Sequence, residues 1–200
     1  MGGHSRGDYA SGAVIRHLRE FPHQPTVLAN LKDLEARLQE ANDDCRTAFR
    51  NKKPGTTVVT MLAHGNYGFF LWAGDSRVYR LRGEQLEQLT VDHSLAQQKL
   101  AQGQLTAEEA ENHKSAHVLT RAVGIRETLE ADLVYSEVKD GDRFLLCSDG
   151  LYNPVDANDI RTLLTEGSPE DACEALVDLA NTNGARDNIT VIVVAVELSE

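Results

Sequence analysis

The sequence predicts an α+β fold in which helices cover antiparallel sheets, and three observations carry that expectation. Residues 28–52 place Leu31, Leu34, Leu38, Ala41, Cys45 and Ala48 at alternating steps of three and four, the single buried stripe of an amphipathic helix. After Pro54-Gly55 the texture changes to short β-rich runs separated by Asn, Gly and Asp turns. Helical patterns then return, and the chain approaches its end on the apolar run from Ile189 to Val196. Helices, strands, helices and a last strand make a segregated order, not the alternating order of a parallel sheet.

Taken in order, Ala10 to Arg19 is a short helix ahead of the long one from Leu28 to Lys52. Thr56 to Ala63, Gly68 to Ala73, Arg77 to Leu81 and Gln85 to Leu89 are expected to pair as one antiparallel meander. Leu95 to Gln102 and Ala107 to His113 are helices, the second opened by Thr106 with Glu109 three residues on, a capping box. Leu133 to Val138 and Arg143 to Ser148 are strands, and Asp140-Gly141-Asp142 between them is a hairpin signal. Ala157 to Thr165 is a helix. Pro169 to Asn181 is another, with Ser168 as N-cap, Pro169 at the first helical position, acids in the first turn and Gly184 just past its end. Ile189 to Val196, apolar throughout, is expected to be a central strand. There is no repeat, low-complexity tract or Pro/Ser-rich linker, so residues 1–200 are expected to form a single domain.

The 200 residues are 41% hydrophobic and 26% charged, too apolar for a disordered chain. No apolar run approaches the roughly 20 residues of a membrane span. The balance of 20 Lys and Arg against 31 Asp and Glu, net charge -11, repels polyanions and excludes nucleic acid as a partner. Met1-Gly2-Gly3-His4 lacks the pattern of a secretory signal, and Cys45, Cys147 and Cys173 show no CxxC or Cys/His clustering. The expectation is a cytoplasmic protein with reduced thiols, no structural zinc and no membrane association.

The chemistry sits in the turns. Asp75 follows Ala73-Gly74 at a strand end, Asp92 follows Leu89-Thr90-Val91, Asp149 lies between Ser148 and Gly150, and Asp187 precedes Asn188 at the entry to the last strand. Four aspartates at strand rims could converge on one edge. A site of carboxylates without Cys or His suits hard divalent cations, Mg²⁺ or Mn²⁺. Each aspartate alone has a plainer reading, because Asp-Gly and Asp-Asn are common turn formers.

Seven strings occur in order over nearly the whole chain. They are Met1-Gly2-Gly3-His4 with Ala10-Ser11; Gly55-Thr56-Thr57; Ala73-Gly74-Asp75-Ser76-Arg77; Leu89-Thr90-Val91-Asp92-His93-Ser94; Leu119-Thr120-Arg121-Ala122-Val123-Gly124; Gly141-Asp142 to Ser148-Asp149-Gly150-Leu151; and Arg186-Asp187-Asn188-Ile189-Thr190. With them the chain resembles the metal-dependent serine/threonine protein phosphatases of type 2C, the PPM family, in its bacterial form. The resemblance implies a four-layer α-β-β-α sandwich of two antiparallel sheets with flanking helix pairs. It implies hydrolysis of phosphoserine and phosphothreonine in proteins by a metal-activated water, with two catalytic Mn²⁺ or Mg²⁺ ions and a third, weaker one. Carried over by residue, Asp149 and Asp187 are ligands of the catalytic pair, and Asp92 joins Asp149 at the third ion. His4 is the catalytic histidine, placed to hydrogen-bond a water or the leaving oxygen. The partners implied are phosphorylated protein substrates, opposite a serine/threonine kinase.

The family's first string runs Asp-Gly-Met-Gly-Gly-His, and this chain begins at its Met. The resemblance therefore implies an N-terminally truncated domain, without that Asp and Gly of the metal site. On this reading the 200-residue chain alone is expected to be poorly soluble and inactive. Two other functions stand beside it: a catalytically inactive phosphatase-like module that binds phosphoproteins, and a phosphatase acting on an anti-sigma-factor antagonist. Residues 94–116, polar and helical between two fixed strings, are expected to form a flap that selects substrates, or else a solvated hairpin. Asp75 is read as a scaffold turn, and Trp72 and Tyr79 as packing on adjoining strands. His93, His113 and His117 are read as solvated or structural, Arg121 as a phosphate contact or a pin for the flap, and Cys147 as inert and buried.

Overall fold

The computed structural model describes residues 7–48, 54–111 and 113–197. The chain divides into two units, one of residues 1–58, 72–74 and 93–132, the other of residues 59–71, 75–92 and 133–200.

In the first unit, α1 (Gly7–Leu18) packs on α2 (Val27–Thr47). Thr26 caps α2 by accepting from the Ala29 N–H, and Leu34, Leu38, Ala41 and Cys45 form its buried stripe, as the spacing predicts. Leu31 is only half-buried, and Ala48, read as part of the stripe, is exposed because the last turn carries it beyond the apolar face. Asn42 is buried because both ends of its amide are satisfied. Its Oδ1 accepts from the Gly124 N–H at 2.7 Å, and its Nδ2 donates to the Arg126 carbonyl at 3.0 Å. The short helices α3 (Leu95–Ala101) and α4 (Ala107–Glu111) follow, α4 opened by the expected Thr106–Glu109 capping box.

The second unit contains two antiparallel sheets packed face to face. β1 (Val58–His64), β2 (Tyr67–Ala73) and β5 (Asp132–Glu137) form one, in the order β1-β2-β5. β3 (Arg77–Arg82), β4 (Gln85–Gln88), β6 (Arg143–Cys147) and β7 (Val191–Ala195) form the other, in the order β4-β3-β6-β7. Phe70 of β2 meets Phe144 of β6 between them with ring centroids 5.2 Å apart, and Val78 and Leu146 fill the same layer. On the far side of β6, Leu145 and Cys147 pack against α5 (Asp149–Tyr152), α6 (Ala157–Thr165) and α7 (Pro169–Thr182) through Leu151, Ile160, Leu164 and Leu176. Apolar groups on both faces explain why β6 shows no apolar/polar alternation. Each fully buried Leu or Phe there contributes about 1.5–3 kcal/mol. α7 carries a reciprocal capping box, Ser168 accepting from the Asp171 N–H and Asp171 from the Ser168 N–H.

Three sequence expectations change. The four strands from β1 to β4 are not one meander, since Gly74-Asp75-Ser76 carries the chain from one sheet to the other. Asp140-Gly141-Asp142 does not close a hairpin either. The Val138 N–H bonds to Asn66 beside β2, whereas the Gly141 N–H bonds to Val196, so the turn switches sheets. Its anchor is Asp142, whose side chain is fully buried and takes both prongs of the Arg82 guanidinium at 2.7 Å. Finally, β7 is the outermost strand of its sheet among the described residues, with Ile192 52% exposed. Its continuous apolar run reflects packing of Ile189, Val191 and Val193 toward the helices and of Val194 toward the other sheet.

Candidate active site

The candidate site assembles at the ends of strands in the second unit. β6 ends at Cys147, and Ser148 stands at the N-cap position of α5 without a side-chain capping bond, Asp149 being the first helical residue. The Ser148 hydroxyl donates to the Asn188 carbonyl at 3.1 Å and accepts from the Thr190 N–H at 3.0 Å, which fastens this junction to the segment entering β7. The two backbones touch there: a Cβ at Gly150 would stand 2.4 Å from the Asn188 oxygen and 3.3 Å from that of Asp187. Glycine is required at 150 for close approach. Asp149 and Asp187 are thus brought onto adjoining backbone, and the Asp187 carboxylate accepts from the Asn188 N–H at 2.7 Å.

Asp75, in the turn after β2, is buried. Burial, and then the charges of Asp149 and Asp92, push its carboxyl up to about 6. Asp92 is held by Arg77, whose Nε lies 3.0 Å from Oδ1 and whose Nη2 lies 2.8 Å from Oδ2. The same guanidinium donates to the Tyr79 hydroxyl at 3.0 Å and sits 3.6 Å over the Tyr152 ring. Tyr152 completes the circuit by donating its hydroxyl to the Asp75 carbonyl at 2.9 Å. Burial keeps that phenol well above its ordinary range, so it stays a donor. The Asp75 carboxyl therefore feels two neighbouring carboxylates, and Arg77 neutralises one of them, Asp92.

Of the remaining candidates, His4 lies outside the described residues. Trp72 and Tyr79 belong to different sheets, not adjoining strands: Trp72 stacks on His93 at 5.7 Å, and Tyr79 enters the core under the helices. His93 is buried and structural. The Gly74 N–H donates to its Nδ1 at 3.2 Å, so the ring proton sits on Nε2, which faces Asp132 at 3.1 Å. Arg121 is paired with Asp132 and Glu130, a pinning role. His113 bonds Ser115, and His117 is exposed. The segment 94–116 opens and closes on a short ladder, with the Leu95 N–H on the Val118 carbonyl at 2.9 Å and the Thr120 N–H on that of His93 at 2.8 Å. Burial pushes the Cys147 thiol up to about 12, so it is inert.

Among the described residues no three carboxylate, imidazole or thiolate groups converge enough to hold an ion by themselves. The donor chemistry nevertheless fits Mg²⁺ or Mn²⁺. Every candidate ligand is a hard oxygen, and Mg²⁺ sites commonly use one or two carboxylates with waters completing the octahedron. Asp149 has no ion-pair partner among the described residues, and buried Asp75 is destabilised by its acidic neighbours, a strain that a cation relieves. Arg77 and Tyr152 have no place in this cluster in the sequence reading, and Asp75, one of its four rim aspartates, is read there as a scaffold turn, although Asp75 and Arg77 share the Gly74-Asp75-Ser76-Arg77 string.

The model of the family described as protein phosphatase 2C matches residues 2–189. The chain belongs to the protein phosphatase 2C family. Protein phosphatase PhpP of Streptococcus pneumoniae is 40% identical over 211 residues, covering 98% of this chain and 82% of that protein. The serine/threonine phosphatase PstP/Ppp of Mycobacterium tuberculosis superposes with a TM-score of 0.89 at 34% identity, over 99% of this chain and 86% of the other. The catalytic domain of PstP in complex with two manganese ions superposes with a TM-score of 0.81 at 34% identity, over 96% and 83% of the two chains. As a protein phosphatase 2C member, the chain has the two antiparallel sheets and flanking helices of that fold, and it is a metal-dependent serine/threonine phosphatase.

Proposed function

We propose that this phosphatase hydrolyses phosphoserine and phosphothreonine in proteins, with Asp149 and Asp187 holding the catalytic cations. Asp92, with Asp149, serves a third, weaker site, and Asp75 lies beside it. The observation that carries this reading is the junction of β6, α5 and the entry to β7, where two aspartates without cationic partners among the described residues share touching backbones next to a third, buried one. Divalent ions bound there lower the pKa of water and stabilise the charge of an in-line displacement at phosphorus. The chain's own residues fix where that happens. Ser148 and Gly150 hold Asp149 against Asp187, and Arg77 takes two of the roughly four acceptor positions of Asp92, leaving it capable of a limited further contact. That sharing is consistent with a weak third site. His4 serves as the proton-transfer group, and residues 94–116 act as a flap that reads the protein substrate. The ion is Mn²⁺ or Mg²⁺, the substrates are phosphoproteins made by a serine/threonine kinase, and the setting is the cytoplasm. No helix among the described residues is long and apolar enough to cross a membrane.

The test is calorimetric titration of the protein with Mn²⁺, paired with release of phosphate from a phosphothreonine peptide. Binding of Mn²⁺ that Asp149→Asn and Asp187→Asn each weaken at least tenfold supports the assignment. Undiminished binding in both variants refutes it.

A further inference from the structure

The described residues place one cation inside the acidic cluster already: the Arg77 guanidinium. It makes its fork to Asp92, reaches the Tyr79 hydroxyl, and sits over the ring of Tyr152 with its central carbon 3.6 Å from the ring centre. Tyr152 is three residues beyond Asp149 on α5 and hydrogen-bonds the backbone of Asp75. Thus Asp75 and the two carboxylates that act on it, Asp92 and Asp149, stand on three different chain segments, and one Arg–Tyr pair connects all of those segments. A guanidinium suits this post, because it is planar, permanently charged and able to stack while donating in a fork.

We propose that Arg77 and Tyr152 are positioning residues that set the affinity of the acidic cluster for divalent cations. This rests on the reading of Asp149 and Asp92 as cation-binding carboxylates, with Asp75 beside them. Neither residue touches the ion or the phosphoryl group. Like-charged carboxylates spread apart unless held, and a cation binds best where their positions are fixed before it arrives, because ordering them on binding subtracts from affinity. Tyr152 fixes the Asp75 turn through its hydroxyl and supports Arg77 through its ring. Arg77 in turn fixes the orientation of Asp92. Its positive charge by itself opposes a second cation, so the two contributions of Arg77 have opposite sign, and only a charge-conserving substitution isolates the geometric one.

The variants follow from that separation. Tyr152→Phe removes only the hydroxyl and keeps the stacking ring. Arg77→Lys keeps the charge and loses the fork and the planar stack. Each is titrated with Mn²⁺ by calorimetry, and its thermal midpoint is measured in EDTA. Tyr152→Phe is expected to weaken Mn²⁺ binding about fivefold, the weight of one neutral hydrogen bond. Arg77→Lys is expected to weaken it about tenfold, through loss of a charge-assisted fork. The double variant should fall short of the product, because each residue acts through the other. Variants that bind Mn²⁺ as the parent does, whatever their midpoints in EDTA, overturn the proposal and make the pair a purely structural contact. If the parent chain itself binds no Mn²⁺, the functional reading fails, and the proposal with it.

Discussion

At the scale of single residues, a buried carboxylate outside the candidate site gives the sharpest test of the fold. The Asp142 side chain is fully buried, accepts both prongs of Arg82 and takes the Lys139 N–H at 2.8 Å. Burial works to raise its pKa, but the Arg82 fork and the Lys139 N–H outweigh burial and hold it below the ordinary value. A depressed folded-state pKa means stability that is present above the unfolded value near 4 and is lost as pH falls through the folded value. Asp142→Asn should therefore cost about 2–3 kcal/mol at neutral pH, with Arg82 a third exposed and able to recover some hydration. The deficit should shrink below pH 4. Urea unfolding at pH 7 and pH 3.5 measures both, and an equal deficit at the two values contradicts the ion-pair account. Residues of this kind also mark where sequence reading stopped. Asp149 and Asp187 each stand in a local string, which is what singles them out as candidates. The contact between Arg77 and Tyr152 has no such signal, since it joins residues 75 positions apart along the chain and no local pattern encodes it.

Among elements, helices and strands could be found from local patterns, whereas their partners could not. Capping chemistry located α4 and α7 because Thr106 and Ser168 act within one turn of themselves. The assignment of strands to sheets depended on Asn66, Arg82 and Val196, each far in sequence from the turn it controls. Asp-Gly chemistry gives a reversal of direction but does not say which sheet receives the chain. The junction of α5 with the β7 entry is the element-level feature on which the site depends. In Gly150→Ala the new methyl meets the Asn188 carbonyl at 2.4 Å, so α5 must shift away from Asp187. The expected cost is about 1–3 kcal/mol from overpacking, together with weakened Mn²⁺ binding, read by thermal unfolding and calorimetry. A destabilised variant with parental Mn²⁺ affinity separates the junction from the metal function. The segment 94–116 behaves oppositely. Its ends close on their own ladder, so removing residues around Gly103, where φ is +71° and the surroundings are open, should leave the thermal midpoint nearly unchanged. Aryl phosphate hydrolysis should stay within roughly tenfold while phosphopeptide turnover falls further, because distant contacts act on the larger substrate through orientation. Equal losses on both substrates would assign the segment a supporting role instead.

For the whole molecule, the excess of acid is the quantity that metal binding must answer. The net charge of -11 disfavours polyanions and raises the local concentration of divalent cations, and at the candidate site two of the negative charges, Asp149 and Asp92, act on a third, Asp75. A metal-free chain therefore holds repulsion that unfolding would relieve, and a ligand that binds only the folded form stabilises it by mass action. At Mn²⁺ one hundred times its Kd the gain is about 2.7 kcal/mol. For a domain of this length that corresponds to a rise in thermal midpoint of about 5–10 °C, reversed by EDTA. The two aspartates proposed to hold the catalytic cations should then differ in EDTA while agreeing in Mn²⁺. Asp149→Asn relieves repulsion with Asp75, so its metal-free midpoint should rise slightly above the parent's. Asp187 is exposed and not among the charges acting on Asp75, so Asp187→Asn should leave the metal-free midpoint where it was. In Mn²⁺ both variants should lose most of the parental rise. Thermal melts of the three proteins with EDTA and with Mn²⁺ decide the matter. A Mn²⁺ rise that survives in both variants would place the cation elsewhere, and a drop in the metal-free midpoint of Asp149→Asn would show that its carboxylate stabilises the fold.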